Sequence, residues 1–203
     1  MKTTGEVVAI IANLVTVKSD SAVSQNEICY IDCQGVPLMA EVIKITGENV
    51  FVQVFESTRG LMVGAKVTFE GHLLEATLGP GILTRIYDGL QNDLKAMEGV
   101  FLQRGDYTPA LDMNAHWDFT PLASGGDTMC AGDWLGWVPE GWLEHKIMVP
   151  FALQGQWTIE WIASAGNYSM TDHIAVLVNS SGEHQIVTMV QKWPVKVPIT
   201  SYI

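Results

Sequence analysis

The side chains that could do chemistry are few and scattered. Histidines stand at 72, 116, 145, 173 and 184 with no shared spacing. His145 with its neighbour Glu144 is the best local metal-binding pair, but no further ligand follows at a known interval. Asp127, Asp133, Glu140 and Glu144 offer the oxygen ligands that calcium takes. The loop pattern that arranges such ligands is absent, and turn chemistry accounts for these acids better. Cys29-x-x-x-Cys33 has no second pair to complete a zinc site, and reads as two thiols on a short strand and its turn. With Cys130 it makes three cysteines, an odd and sparse set that fits a reducing compartment. Gly79-Pro80-Gly81 precedes a helical pattern, a setting in which backbone N–H groups can cradle phosphate. The lysine and hydroxyl of a phosphate loop are missing there, so packing is the better reading. Nowhere does a G-x-x-x-x-G-K-[ST], H-E-x-x-H or G-x-S-x-G string occur. Trp134, Trp137 and Trp142 could stack on a sugar, but in a β domain such residues are more often core or protein-interface anchors. No catalytic, cofactor-binding or metal-ligating set emerges.

The elements that would position these residues are mostly strands. Residues 5 to 70 read as β. "EVVAIIANLVTV" is an apolar run broken at Asn13, and "EICYID" follows a polar loop. "LMAEVIKI" and "NVFVQVF" are joined by "TGE", a hairpin signal. "AKVTFEG" alternates, with Val67 and Phe69 to one face and Lys66, Thr68 and Glu70 to the other. Short, closely spaced strands with Gly at the turns argue for a small closed barrel or a sandwich, and closure is the better way for so short a segment to bury its edges. Ile82, Leu83, Ile86, Tyr87, Leu90 and Leu94 then recur at helical spacing behind Pro80, which predicts a helix over Leu78–Leu94. After a change of composition near Leu94–Gly99 the chain is β again, and the stretch from about Gly99 to Val190 holds six of the seven tryptophans. Gly126-Asp127 recurs as Gly132-Asp133, a doublet of turns between very short strands. "KIMVPF", "WTIEWIA", "IAVLV" and "HQIVTMV" complete an all-β set, and Pro194 and Pro198 favour an extended path beyond it.

Composition bounds the function. Of 203 residues 48% are apolar and 16% charged, which is globular. A net charge of −11 argues against nucleic acid and against an anionic membrane surface. No apolar run approaches the roughly 20 residues that span a bilayer. "MKTTGEVVAI" lacks the features of a signal peptide and is expected to be a mature N-terminus.

The ordered strings "QVFESTRGLMVGAKVTFEGHLLEATLGPGILTRIYDGLQ", "RGDY", "HKIMVPF", "GNYSMTD" and "MVQKWPVKVP" resemble the N-terminal part of the catalytic A subunits of V/A-type rotary ATPases, the bacterial branch in particular. The likeness runs from Gly5 to Pro198. It implies a mainly β chain: a small N-terminal β-barrel over 1–71, then a connector over 72–107 with the first helix of the nucleotide-binding domain. A β barrel-sandwich, the bulge domain, would follow over 108–190, and 191–203 would be a truncated return into the α/β nucleotide-binding domain. In that family the phosphate-binding loop and catalytic Glu follow "KWPVKVP". This chain stops at Ile203 ahead of both, so MgATP is expected of the full-length subunit and no cofactor or catalysis of these 203 residues. The family couples ATP hydrolysis or synthesis to proton or sodium movement on the cytoplasmic face of a membrane. The share implied here is ring assembly with B subunits and contact with the peripheral stalk. Ile82, Ile86, Tyr87 and Leu90 would cover the nucleotide domain. Trp134, Trp137 and Trp142 would anchor a partner, with His145 and Lys146 adding a positive rim. Lys146 lies in a string that resembles lipoyl-type hairpins, but its turn context differs from that of a modified lysine. Asn92-Asp93 stands where Arg-Pro is common and Ala12 where Gly is common. The competing reading is a free-standing, non-catalytic β-domain binding module.

Overall fold

A computed structural model describes residues 2–97 and 104–198. They fall into two compact units. One lies within Met1–Glu75, Glu98–Tyr107 and Pro194–Lys196; the other lies within Ala76–Met97, Thr108–Trp193 and Val197–Ile203. The composition break expected near Leu94–Gly99 falls partly on residues 98–103, outside the described residues.

The first unit is a closed barrel of six antiparallel strands: β1 (Thr4–Ile11), β2 (Leu14–Ser19), β3 (Glu27–Cys33), β4 (Val36–Thr46), β5 (Asn49–Val54) and β6 (Lys66–Leu73). Their order is β1-β2-β5-β4-β3-β6, closed by Gly5 of β1 opposite Val67 of β6. The apolar runs divide where the turn signals stand, at Ala12–Asn13 and at Gly47–Glu48. Inward positions alternate along each strand, so Val7, Val15, Val17, Ile31, Val52, Val67 and Phe69 fill the interior. Closure removes the sheet edges that so small a sheet would otherwise expose.

Ala12 turns the first hairpin with φ of 52°, in the left-handed region. A side chain there costs about 1 kcal/mol or slightly more. Ala12→Gly is therefore expected to raise barrel stability by about 1 kcal/mol, read as a higher urea midpoint at unchanged slope.

Cys29 and Cys33 lie four apart on β3, inside the barrel; Cys130 is exposed. Burial, followed by the nearby Glu27 and Glu70 carboxylates, pushes the Cys29 thiol up to about 12. A thiolate-seeking reagent should label Cys130 alone in the native chain and all three thiols in denaturant. Rapid native labelling of three would contradict this packing.

The second unit is a sandwich. One sheet runs β11-β10-β8-β13, from β8 (His116–Pro121), β10 (Trp134–Glu140), β11 (Leu143–Met148) and β13 (Gly166–Ser169). The other runs β15-β14-β12-β9, from β9 (Thr128–Met129), β12 (Trp157–Ile162), β14 (Ala175–Asn179) and β15 (His184–Val187). A ribbon of β7 (Glu75–Leu78) and β16 (Gln191–Pro194) completes the strands. Phe119, Val138, Ile147, Met170 and Ile174 form one core cluster, and Leu135, Trp157, Ile159 and Leu177 lie in another. The Gly-Asp doublet makes two copies of one turn. Ser124 N–H donates to Asp127 Oδ2 at 2.8 Å, and Cys130 N–H to Asp133 Oδ2 at 2.6 Å. Ser169 and Asp172 repeat it at 2.7 Å.

The helix expected over Leu78–Leu94 does not form. One short 3-10 turn, Ile82–Thr84, is followed by a tight hairpin. Tyr87 bridges Asp93, Leu94 N–H donates to Ile86 O at 2.9 Å, and Asp88 N–H to Asn92 O at 3.1 Å. Two local effects override the periodicity. Gly81 and Gln91 take φ of 91° and 63°, which no right-handed helix contains. Asp88 also accepts the N–H groups of Leu90 and Asn92 at 2.9 and 2.8 Å, offering them a partner that competes with the helix ladder.

Candidate partner-contact surfaces

Two regions of the second unit hold the residues singled out in the sequence. The first is the 82–97 segment. Asp88 closes it, because its other oxygen accepts from Asn92 Nδ2 at 2.8 Å. Arg85 Nη1 meets Asp93 Oδ2 at 2.6 Å, and Thr108 N–H donates to Asn92 Oδ1 at 3.1 Å. Asn92 and Asp93 are thus buried and satisfied. Ile82 packs on the core, and the Tyr87 hydroxyl donates to Ala110 O at 2.6 Å. Tyr87 and Leu90 are half-buried, whereas Leu83 and Ile86 are 57% and 59% exposed. The four residues expected to form one face are therefore divided: Ile82 faces inward and Ile86 outward.

Partial burial would raise the Asp88 pKa, but hydrogen bonds from Asn92 and Leu90 outweigh it and hold the carboxyl below its usual 3.8. The folded state therefore binds this proton less readily than the unfolded chain does. Its stabilisation is complete above pH 3.8 and is lost as pH falls through the folded value. Asp88→Asn should flatten this acid limb of a urea-midpoint profile, and an unchanged slope would remove Asp88 from it.

The second region is the β10–β11 hairpin. Its two-residue turn is Gly141–Trp142, with Gly141 at φ 63°, the sign a II′ turn needs at its first central position. Trp142 then stands at the tip, 90% exposed. A register shift between Trp134 and Gly136 leaves both Leu135 and Gly136 buried and turns Trp134 outward, 46% exposed. Trp137 is half-buried and pairs across the strands with Lys146. The Lys146 ammonium lies 5.0 Å from the Trp134 ring centre and 2.6 Å from Glu144. His145 Nδ1 lies 2.6 Å from Glu140, not against Glu144. Glu140 is buried, and its second oxygen accepts Leu83 N–H at 3.0 Å. Each basic group of the expected positive rim is thus already matched by a carboxylate. Among the described residues no group of three or more His, Cys, Asp or Glu gathers to hold a metal ion. None of their helices is long and apolar enough to cross a membrane.

Sequence reasoning missed a clasp on the barrel. Arg104 donates to Ser57 O and Arg59 O, and Gly105 N–H to Glu56 at 3.2 Å. The Tyr107 hydroxyl accepts Met39 N–H at 2.9 Å and donates to Pro37 O at 3.3 Å. Burial, then the Glu56 carboxylate, raises the Tyr107 phenol well above its ordinary range. "RGDY" is therefore a staple in the barrel unit; its only sequence signal was the family likeness.

Comparison with known proteins gives these two units their context. Residues 7–71 match the model of the ATP synthase alpha/beta family, beta-barrel domain, and residues 108–196 that of the ATPsynthase alpha/beta subunit barrel-sandwich domain. The chain is similar to the V-type ATP synthase alpha chain of Borrelia turicatae (strain 91E135), 48% identical over 205 residues, covering 100% of this chain and 36% of that one. The V-type ATP synthase alpha chain of Chlamydia caviae is 47% identical over 196 residues, covering 96% of this chain and 33% of its own. That of Borreliella burgdorferi is 45% identical over 205 residues, covering 100% and 36%. The chain spans about a third of the length of these relatives. With two domain models matched in order and relatives of one kind along its whole length, the chain belongs to the ATP synthase alpha/beta family, among the V-type ATP synthase alpha chains.

Proposed function

We propose that these 203 residues are the assembly portion of a catalytic A subunit, in a V-type complex that couples ATP hydrolysis or synthesis to proton or sodium movement. The barrel contacts B subunits in the ring. The sandwich contacts the peripheral stalk, and the complex sits on the cytoplasmic face of its membrane. MgATP chemistry belongs to sequence outside this portion. The observation that carries the reading is the pairing of a closed barrel with a tryptophan-faced sandwich, each matched to its own domain of one family. Trp142, Trp134 and Ile86 leave apolar area uncovered where a partner would find anchors.

The test is reconstitution with the B subunit and the stalk pair of the same complex, followed by size-exclusion light scattering. Co-elution is expected with both, and MgATP should give no heat at micromolar concentration, because no Gly-Lys phosphate loop is present. Micromolar ATP binding, or no association with either partner, would overturn the reading.

A further inference from the structure

The outer face of the second sheet carries an apolar row that the fold of the unit does not use. Trp161 pairs with Val176 across β12–β14, and Val176 pairs with Ile186 across β14–β15. Ile159, Ala175, Leu177 and Val187 on the same strands face the core. Strict alternation from Ile159 would point residue 161 inward as well. A register shift between Ile159 and Trp161 inserts Glu160 and re-aims the tryptophan to the outside. Trp161 and Ile186 are each 47% exposed, with half-buried Val176 between them. The same shift turns Ile162 inward, opposite Ala175 and against the core, and leaves the Trp161 ring uncovered on the outside, in line with Val176 and Ile186, where a large exposed aromatic in an apolar row marks a contact surface.

We propose that this face docks an amphipathic helix of another protein, with an apolar stripe and lysine or arginine at its margins. The proposal rests on the reading of the sandwich as a protein-contact unit and names the chemistry of its partner. Three strands present the row over two interstrand steps, about 9.6 Å. A helix rises about 10.5 Å from i to i+7, so residues at i, i+3 or i+4, and i+7 meet Trp161, Val176 and Ile186 in turn. Charge selects the margins. Residues 108–196 hold nine Asp and Glu against three Lys and no Arg. Lys146 is paired with Glu144, and Lys196 with Glu41. Beside the row, Glu160 is half exposed and 2.9 Å from His184, which follows Glu183 in the chain. An acidic helix would be repelled here and a basic one drawn in. A second copy is the weaker occupant, because it would bring its own net charge of −11 to the same contact.

The test uses the 203-residue chain and two synthetic helical peptides with the same leucine stripe, one flanked by lysine and one by glutamate. Titration is followed by tryptophan fluorescence and calorimetry. The lysine peptide should bind, weaken with added salt, and lose about tenfold or more in affinity with Trp161→Ser and, independently, with Ile186→Ser. The glutamate peptide should bind at least about tenfold more weakly. Equal binding of both peptides, binding by neither, or affinity unmoved by both substitutions overturns the proposal. So does a dimer in sedimentation that Ile186→Ser dissolves. A stalk pair that binds the wild type and both variants alike would leave the assembly role standing and remove this face from it. A lysine peptide that binds as expected while the stalk pair does not would do the reverse.

Discussion

Gly136→Ala should disrupt the sandwich and leave the barrel folded. Gly136 lies in β10, opposite Pro121 on one side and Ile147 on the other. A Cβ there would stand 2.3 Å from Phe119 Cε2, 2.5 Å from its Cζ and 2.5 Å from the Thr120 carbonyl oxygen. None of these can retreat cheaply. The Phe119 ring is 1% exposed, belongs to a core cluster with Val138, Ile147 and Met170, and meets Tyr168 edge-on at 6.4 Å. The Thr120 oxygen belongs to the β8 backbone, beside the Gly136–Pro121 pair. Overpacking at such a site costs about 3 kcal/mol, and the strand must shift before it is relieved. The two units report separately. All seven tryptophans lie in the sandwich unit, while Cys29 and Cys33 lie in the barrel. The urea midpoint read by tryptophan emission should fall sharply, with both barrel thiols still protected at denaturant concentrations that expose the tryptophans. An unmoved tryptophan transition, or thiols released together with it, would refute the expectation.

Gly136 also shows where the sequence stopped being legible. Around it lie "LGW" and "CAGDW", which announce turns and short strands but not that one glycine lies against a phenylalanine of another strand. The barrel was readable because its signals are local. Val67 and Phe69 alternate with polar neighbours, "TGE" closes a hairpin, and closure follows from the edges of a small sheet. In the 82–97 segment two local patterns share one string, and only one of them decides the fold. Ile82, Ile86 and Leu90 carry the helical period, while Asp88-Gly89 is the hairpin signal that prevails through its carboxylate. The sequence offers the tryptophans as candidate anchors but does not show which of them are exposed. Trp157 is 5% exposed and Trp161 47%, and a one-residue bulge between them, invisible to any periodicity, sets the difference. His145 and Lys146 are adjacent in the sequence, yet a strand sends neighbours to opposite faces. His145 therefore reaches buried Glu140, while Lys146 lies over Trp134 with Glu144.

Glu140→Ala should loosen the Ile82–Thr84 turn and destabilise the sandwich unit by about 3 kcal/mol, more than its size suggests. Glu140 ends β10, is 4% exposed, and spends both oxygens: one on Leu83 N–H at 3.0 Å, one on His145 Nδ1 at 2.6 Å. Alanine leaves that N–H and the imidazole facing a small void, and water must enter or the turn must lift. Lifting the turn withdraws Ile82 from the core cluster of Phe119, Ile147 and Met170, so a polar loss becomes an apolar one. Glu140→Gln keeps an acceptor for Leu83 and should recover much of the loss. His145→Ala leaves a buried carboxylate with one partner and should fall between the two. The double variant Glu140→Ala/His145→Ala should cost clearly less than the sum of the singles, because the shared contact can be lost only once. Tryptophan-monitored urea midpoints give the energies, and hydrogen exchange at Leu83 tells whether the turn itself opens. If that amide stays protected in Glu140→Ala, or the two single changes add without coupling, the carboxylate does not hold the turn. Ile82 packing would then have to hold it alone.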